Sequence, residues 1–230
     1  MPSITNIITP RSMQGWGFAA ESGTTFSGEL TATQIVSAGN VGGDGARLSV
    51  DDTASGGYFG FPGWTGLPFS AILMGFYATL KEVGDPAPLP TLQINIAADV
   101  TDPTTNQTWQ GRAVFEPYYT GAPTSTLNTW QRWNFMHGAG WWFTKAPLSN
   151  FAGINNPTTW GNILAHYPNM GTTVNPALAS ILFKVGSGWN KFVGYVNDFA
   201  IASPIWPQVV HRWWFAPTTD YDNYYGYVDI

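Results

Sequence analysis

The stretch ILFKVGSGWNKFVGYVNDFAIA, residues 181–202, decides the fold class of this chain. In its first half, residues 181–185, apolar side chains recur at every second position, which is the period of a β-strand. The Gly186-Ser187-Gly188 segment offers the positive φ angles that a tight reversal requires. The second half, residues 192–201, is apolar on both faces, as expected for a strand buried between two layers. We therefore predict a central β-hairpin in a β-sandwich, with a β-bulge at Asn197-Asp198.

The flanking sequence carries further strand signals and one helix signal. Apolar patterning with a period of two predicts strands at residues 46–50, 91–97, 109–115 and 209–215. A short helix is predicted at residues 158–167, because Thr158 or Thr159 can cap its start and Pro168 ends it. These signals predict an all-β antiparallel sandwich with one short helix.

The chain has no linker-like run and no block of like charges to divide it. We therefore expect a single sandwich domain at residues 1–203 of the 230-residue chain. Residues 204–230 form an aromatic C-terminal arm, which either belongs to the same domain or serves as an interface element.

The chain contains unusually many aromatic residues. They make up 16% of the chain and include 12 tryptophans, whereas only 10% of the residues are charged. A buried indole needs a partner for its N–H group, so a core accommodates few of them. We therefore expect several rings to lie at a surface, an interface or a ligand groove.

Charge and hydropathy exclude two classes of partner. The net charge is −5 and no stripe of Lys or Arg exists to neutralise phosphates, so we expect no nucleic-acid partner. No apolar run approaches the ~20 residues of a membrane span. The first residues, MPSITNIITPRS, lack a basic segment followed by an apolar one, so we expect no signal peptide in this chain. Either the protein is made without classical export, or Met1 replaces a leader that was removed. The localisation stays open between the extracellular or cell surface and a virion.

Six short segments form a pattern when they are taken in chain order. They are GARLSV at 45–50, VFEP at 114–117, WQRW at 130–133, GWW at 140–142, the helix segment that ends in YPN at 167–169, and GSGW at 186–189 followed by FVGYV at 192–196. Together they resemble a poorly characterised β-sandwich domain of secreted bacterial proteins, similar in outline to concanavalin-like lectins and carbohydrate-binding modules. The resemblance covers roughly residues 10–202. It implies a jelly-roll-like sandwich and no agreed activity.

Five tryptophans near turns or loops are the predicted ligand platform: Trp64, Trp109, Trp141, Trp142 and Trp189. Indole rings can stack on the apolar C–H faces of sugars, while nearby polar side chains fix the hydroxyl groups. These residues favour a non-catalytic module that binds a glycan or surface polymer. The alternative for each ring is packing over an open end of the sandwich.

The aromatic arm suggests a different function. Rings at an interface can anchor subunit contacts, and the predicted set is Trp206, Trp213, Trp214, Tyr224 and Tyr225. Under this hypothesis the protein is a homo-oligomer and a structural or virion subunit, such as a capsid, decoration or fibre protein.

Glu116, at the end of a predicted strand, is the candidate for catalysis. A glycosidase requires two carboxyl groups about 5–5.5 Å or 6.5–9.5 Å apart, and Asp99, Asp102 or Asp198 could supply the second. The alternative is a structural Glu116 that pairs with Arg112 or Arg132, or that accepts hydrogen bonds from backbone N–H groups. Enzyme activity stays open as the lesser alternative to binding, and we expect no cofactor unless Asp99 and Asp102 hold calcium.

Overall fold

Two seven-stranded β-sheets pack against each other in the computed structural model. The structure describes residues 3–21, 23–32, 44–101, 109–122, 126–145, 149–173, 179–186, 188–204 and 209–216. The strands are, in chain order, β1 (Ser3–Ile8), β2 (Gly17–Ala20), β3 (Ser27–Ala32), β4 (Asp44–Val50), β5 (Gly56–Phe61), β6 (Met74–Val83), β7 (Thr91–Ala97), β8 (Arg112–Phe115), β9 (Gln131–Asn134), β10 (Trp141–Phe143), β11 (Gly171–Thr172), β12 (Ile181–Gly186), β13 (Phe192–Ser203) and β14 (Val209–Phe215). The predicted all-β, jelly-roll-like sandwich is confirmed.

The first sheet is built around β13, the longest strand. One side of β13 pairs with β6, which in turn pairs with β9. On its other side, β13 pairs with β4 through residues 192–196 and with β14 through residues 199–203. Strand β3 lies beyond β4, and β1 lies beyond β14. The predicted β-bulge at Asn197-Asp198 lies at this division and is confirmed by the shift in register there and by a φ of 51° at Asp198. The bulge therefore divides one side of β13 between two partner strands, β4 and β14.

The second sheet has the order β10-β8-β7-β12-β5-β2, with β11 beside β7. The predicted strand at residues 91–97 coincides with β7, and its Leu92, Ile94 and Ile96 face the core. The predicted strand at 109–115 is shorter in the structure and begins at Arg112.

The predicted hairpin at residues 181–202 is wrong. Its two halves, β12 and β13, lie in different sheets, because β12 pairs with β5 and β7 whereas β13 pairs with β4, β6 and β14. Gly186 pairs with Gly56, and a Cβ atom on Gly186 would lie 2.3 Å from the Ser55 carbonyl oxygen. The glycine thus permits close strand packing before the chain crosses to the other sheet. A hairpin and a crossing between sheets have the same local pattern of alternation and glycines.

The core between the sheets is dense in aromatic rings. Seven of the eleven described tryptophans are buried: Trp16, Trp64, Trp130, Trp133, Trp141, Trp160 and Trp213. Trp16, for example, stacks on Phe59 with ring centroids 4.9 Å apart. The expectation that several rings lie at a surface is left to the four partly exposed tryptophans, Trp109, Trp142, Trp189 and Trp214.

The single α-helix of the described residues, α1 (Trp160–His166), matches the predicted one. The Thr159 hydroxyl oxygen caps it by accepting a hydrogen bond from the Asn162 backbone N–H at 3.2 Å. Trp160 anchors the helix to the core by stacking on Phe69 at 4.8 Å. Within the described part of the chain, no helix is long and apolar enough to cross a membrane.

Residues 209–216 belong to the sandwich. Strand β14 coincides with the predicted strand, pairing antiparallel with β13 and parallel with β1. Phe215 and Ala216 lie fully in the interior. The rest of the predicted arm, residues 205–208 and 217–230, lies outside the described residues.

Candidate functional site

A cleft opens at one end of the second sheet and has a volume of about 280 Å³. We call it the aromatic cleft, and define it by its lining residues: Ala87, Pro88, Leu89, Glu116, Pro117, Tyr118, Tyr119, Ile154 and Trp189. It lies where β8 ends, where the chain enters β7, and just beyond the end of β12. Of the six well-exposed large apolar side chains that the structure describes, Tyr118 and Ile154 are in this cleft.

One wall is a 3₁₀ turn, Pro117–Thr120, that carries two tyrosines. Pro117 has the fixed φ that suits the first turn position, and the Thr120 hydroxyl donates to the Pro117 carbonyl oxygen at 2.7 Å. The Tyr118 and Tyr119 rings lie 5.3 Å apart and nearly perpendicular, at 75°. Tyr118 is 52% exposed, the largest exposure of any described aromatic ring. The turn therefore presents two ring faces of different orientation.

A second wall is the proline-rich loop of residues 85–90, and Lys81 holds its shape. The Lys81 side chain is fully buried, and its ammonium group donates to the carbonyl oxygens of Asp85 at 2.8 Å, Pro86 at 2.6 Å and Pro88 at 3.2 Å. Burial lowers the pKa of Lys81, and the nearby Asp85 charge opposes that shift. These three charge-assisted hydrogen bonds to carbonyl groups of the loop thus fix its backbone.

Trp189 supplies the third ring and is the only one of the five predicted platform tryptophans that lines the aromatic cleft. It follows Gly188, whose φ is 98°, and leans on Phe192 with ring centroids 4.8 Å apart. Phe192 is fully buried, so Trp189 rests on the core and leaves part of its surface exposed. This support holds the ring in place without sealing it inside.

Glu116 carries the only carboxyl group among the residues that line the aromatic cleft. Burial raises the pKa of this carboxyl group, while the Trp142 indole N–H and the Lys184 charge oppose the rise. The Trp142 Nε1 atom lies near the carboxyl group, although it makes no hydrogen bond of standard geometry. The predicted partners Arg112 and Arg132 are engaged elsewhere, with Gln93 and Asp198 respectively.

The other predicted platform tryptophans do not reach the cleft. The expectation of a ligand platform is wrong for Trp64 and Trp141, which are buried in the core by packing against other aromatic rings, such as Trp213 for Trp64 and Phe115 for Trp141. Trp109 is half-buried, donates from Nε1 to Asn95 Oδ1 at 2.7 Å and lies beneath the Lys145 ammonium group. Trp142 is half-buried beside Glu116.

The residues predicted to form a subunit interface also differ in burial. Trp213 is buried and stacks on Phe199 at 5.4 Å, so the expectation of an interface role is wrong for this ring. Trp214 is half-buried, with the Arg212 guanidinium 5.5 Å from its ring centroid. Trp206, Tyr224 and Tyr225 lie outside the described residues, and the virion-subunit hypothesis that depends on them stays a prediction.

The candidate second carboxyl groups lie elsewhere. Asp198 is fully buried between Arg132 and Arg212 in the first sheet. Asp99 Oδ1 accepts from the Thr101 N–H at 2.8 Å and its Oδ2 accepts from Asn169 at 3.1 Å. Asp102 is outside the described part, and the described residues contain no group of three or more metal-ligating side chains.

Sequence reasoning missed most of the cleft. The Tyr118-Tyr119 pair directly after Glu116-Pro117 was the available signal, since two adjacent tyrosines at a strand end cannot both point inward. No local pattern reveals that Lys81 reaches the carbonyl oxygens of the 85–90 loop, because that contact depends on how the loop folds back.

No family model matches the chain, and no curated protein matches it. One solved structure is similar: the family 11 carbohydrate-binding module from Clostridium thermocellum in complex with a β-1,3-1,4-mixed-linked tetrasaccharide. The sequences are 13% identical, the match covers 79% of this chain and 85% of that chain, and the TM-score is 0.38. The fold class of this chain rests on its own strand pairing.

Proposed function

We propose that this protein is a non-catalytic binding module that holds a glycan in the aromatic cleft. The observation that carries the proposal is the convergence of Tyr118, Tyr119 and Trp189 around the partly buried carboxyl group of Glu116. Ligand sites typically combine aromatic surface with a few placed polar groups.

The chemistry of the lining suits a sugar. The apolar C–H faces of a pyranose can lie on the tyrosine or tryptophan rings, while the carboxyl group and the tyrosine hydroxyls bond to sugar hydroxyls. The volume of about 280 Å³ lies just below the ~300–1,000 Å³ range of ligand pockets. An open cleft of this size suits a short segment of a longer chain.

The binding role is favoured over hydrolysis by the number of carboxyl groups. Both glycosidase geometries place two of them across the sugar. Glu116 stands alone among the lining residues that the structure describes, so hydrolysis would need a second acid from outside this set.

The test is calorimetric titration of the full chain against a panel of soluble oligosaccharides. Tyr118→Ala and Trp189→Ala should each weaken binding about tenfold, the change that corresponds to ~1.4 kcal/mol. Leu73→Ala is the matched control, because Leu73 is 51% exposed and does not line the cleft. Binding that survives both aromatic substitutions unchanged would place the glycan elsewhere, and a panel without any binding would overturn the function.

A further inference from the structure

No salt bridge joins the Glu116 carboxyl group to a Lys or Arg among the described residues. The Lys184 charge acts on this carboxyl group, but the Lys184 ammonium group forms its salt bridge with Glu21, at 3.1 Å. No Lys or Arg is among the residues that line the aromatic cleft. A partly buried carboxylate without a salt-bridge partner gains from a cation brought by the ligand.

The rings around this carboxylate favour the same kind of group. The faces of tyrosine and tryptophan attract cations, with a stabilisation of about 0.5–2 kcal/mol that grows as water is excluded. Tyr118 and Tyr119 stand at 75° to each other, and Trp189 lines the same cleft. Three aromatic rings and one carboxylate that line the same cleft are the elements of an ammonium-binding site.

We propose that the aromatic cleft selects a glycan that carries a free ammonium group, that is, an amino sugar without an N-acetyl group. This inference rests on the proposed function and names the chemical class of the ligand. The amine would face Glu116 while the sugar ring lies on Tyr118 or Trp189. Acidic sugars would be rejected, because their carboxylates would meet Glu116 and find no cation in the lining.

Because the cleft is open to solvent, a sugar polymer that carries the amine is favoured as the ligand. Its rim includes the exposed side chains of Tyr118 and Ile154, which offer apolar surface for rings on either side of the amine. A trimethylammonium headgroup or a lysine side chain shares the same charge. Neither carries neighbouring sugar rings whose apolar faces would lie on the rim.

The experiment compares matched oligomers that differ in one group. Wild-type protein is titrated with a glucosamine oligomer, its N-acetylated counterpart, an unmodified glucose oligomer of equal length, and an oligouronate. We expect the glucosamine oligomer to bind at least tenfold more tightly than the N-acetylated one, and the oligouronate to bind most weakly. Raising the salt concentration should reduce the preference, since screening weakens charge attraction.

The variant Glu116→Gln tests the assigned residue. It should reduce the ratio of affinities between the two glucosamine oligomers to about one, whatever its absolute affinity. Glu29→Gln is the control, because Glu29 is exposed on the first sheet and should preserve the ratio. A ratio that persists in Glu116→Gln would overturn the assignment.

The outcomes separate this inference from the proposed function. Wild-type protein that binds neutral oligomers without preferring the amine would overturn the inference and leave the binding function intact. Absence of binding to every oligomer would overturn both. Phosphocholine vesicles and a lysine-rich peptide form two further arms, and binding to either one without binding to the glucosamine oligomer would overturn the assignment to a sugar.

Discussion

The ammonium group of Lys81 lies 2.6 Å from the carbonyl oxygen of Pro86. Lys81 is on β6, and Pro86 is in the proline-rich loop that walls the aromatic cleft. Proline lacks a backbone N–H, so this loop can satisfy few of its carbonyl groups internally. One buried charge therefore links the first sheet to the shape of the aromatic cleft.

Lys81→Met should leave three loop carbonyl groups without their donor. Charge-assisted hydrogen bonds contribute about 1.5–3 kcal/mol each at most, so we expect a loss of ~2–4 kcal/mol in the free energy of unfolding. Urea denaturation measures this loss, and titration should show weaker glycan binding. Lys145→Met is the control, since Lys145 is exposed and contacts Trp109 rather than the loop. Unchanged stability and affinity in Lys81→Met would show that the loop holds its shape alone.

Trp141 and Trp189, both predicted as surface rings, should respond differently to substitution. Trp141→Ala removes a fully buried ring and should cost about 3–5 kcal/mol in unfolding free energy. Trp189→Ala should cost clearly less, because Trp189 packs on Phe192 from one side only. Denaturation of both variants in parallel decides this point. Equal losses would contradict the difference in burial between the two rings.

Asp198→Asn should destabilise the bulge of β13. Asp198 is fully buried and accepts hydrogen bonds from Arg132 and Arg212, which lose their counter-charge in the variant. We expect ~2–3 kcal/mol, below the ~3–5 kcal/mol of fully buried pairs, because both guanidinium groups are partly exposed. Asn tolerates the φ of 51° at this position, so the loss reports charge rather than backbone strain. A double-mutant cycle with Arg212→Met separates the pairwise contribution.

Glu116 should make stability and binding depend on pH in opposite directions. Its pKa is raised by burial in the folded protein, so the folded state binds more protons between the unfolded and folded pKa values. The contribution of Glu116 to stability is therefore present below the unfolded pKa and is lost as pH rises through the folded pKa. Binding of an ammonium ligand should instead strengthen over the same window, because the carboxylate becomes charged.

The measurement is a pH series of denaturation and titration on wild-type protein and Glu116→Gln. The variant should be more stable than wild type at pH 7 and lose its advantage at low pH. The other titratable groups that act on or near this carboxyl group are Lys184, Tyr119 and Tyr77, and they belong equally to both proteins. Identical pH profiles for the two proteins would show that Glu116 is not the titrating group.

The boundary of the C-terminal arm can be tested by truncation. A chain ending at Ala216 should fold, whereas one ending at Ser203 should not, because β14 contributes Trp213 and Phe215 to the core. Phe215 also donates its backbone N–H to Asn197 at 2.8 Å. Native mass spectrometry of the full chain and the chain ending at Ala216 then tests whether assembly depends on Tyr224 and Tyr225. An unchanged number of subunits would remove these residues from any subunit contact.

Much of the fold was predictable because strand periodicity and capping are local. Strand β14 and the Thr159-capped helix match the sequence prediction, as does the bulge at Asn197-Asp198. The separation of β12 and β13 into two sheets was not predictable, because a glycine turn can either reverse the chain or lead it across the core. Which partner a strand chooses depends on residues far away in sequence.

The site was less accessible to sequence reasoning than the fold. Glu116 and Trp189 were identified from their places next to strands, and both line the cleft. Trp64 and Trp141 were not distinguishable from Trp189, since all three stand beside glycines and the direction of each ring is set by tertiary packing. Whether a ring in a loop is buried depends on which distant residues the loop packs against, and the local sequence does not contain that information.

The pairing of β1 with β14 has a consequence for synthesis. Strand β1 is made before β14, which among the described strands is its only partner and whose Arg212 carbonyl oxygen accepts from Asn6 across 206 positions of sequence. On the ribosome, β1 therefore stays without a hydrogen-bonded neighbour until β14 has been translated. Nascent chains that lack β14 would expose the unpaired backbone groups of β1, and such chains should be prone to aggregation.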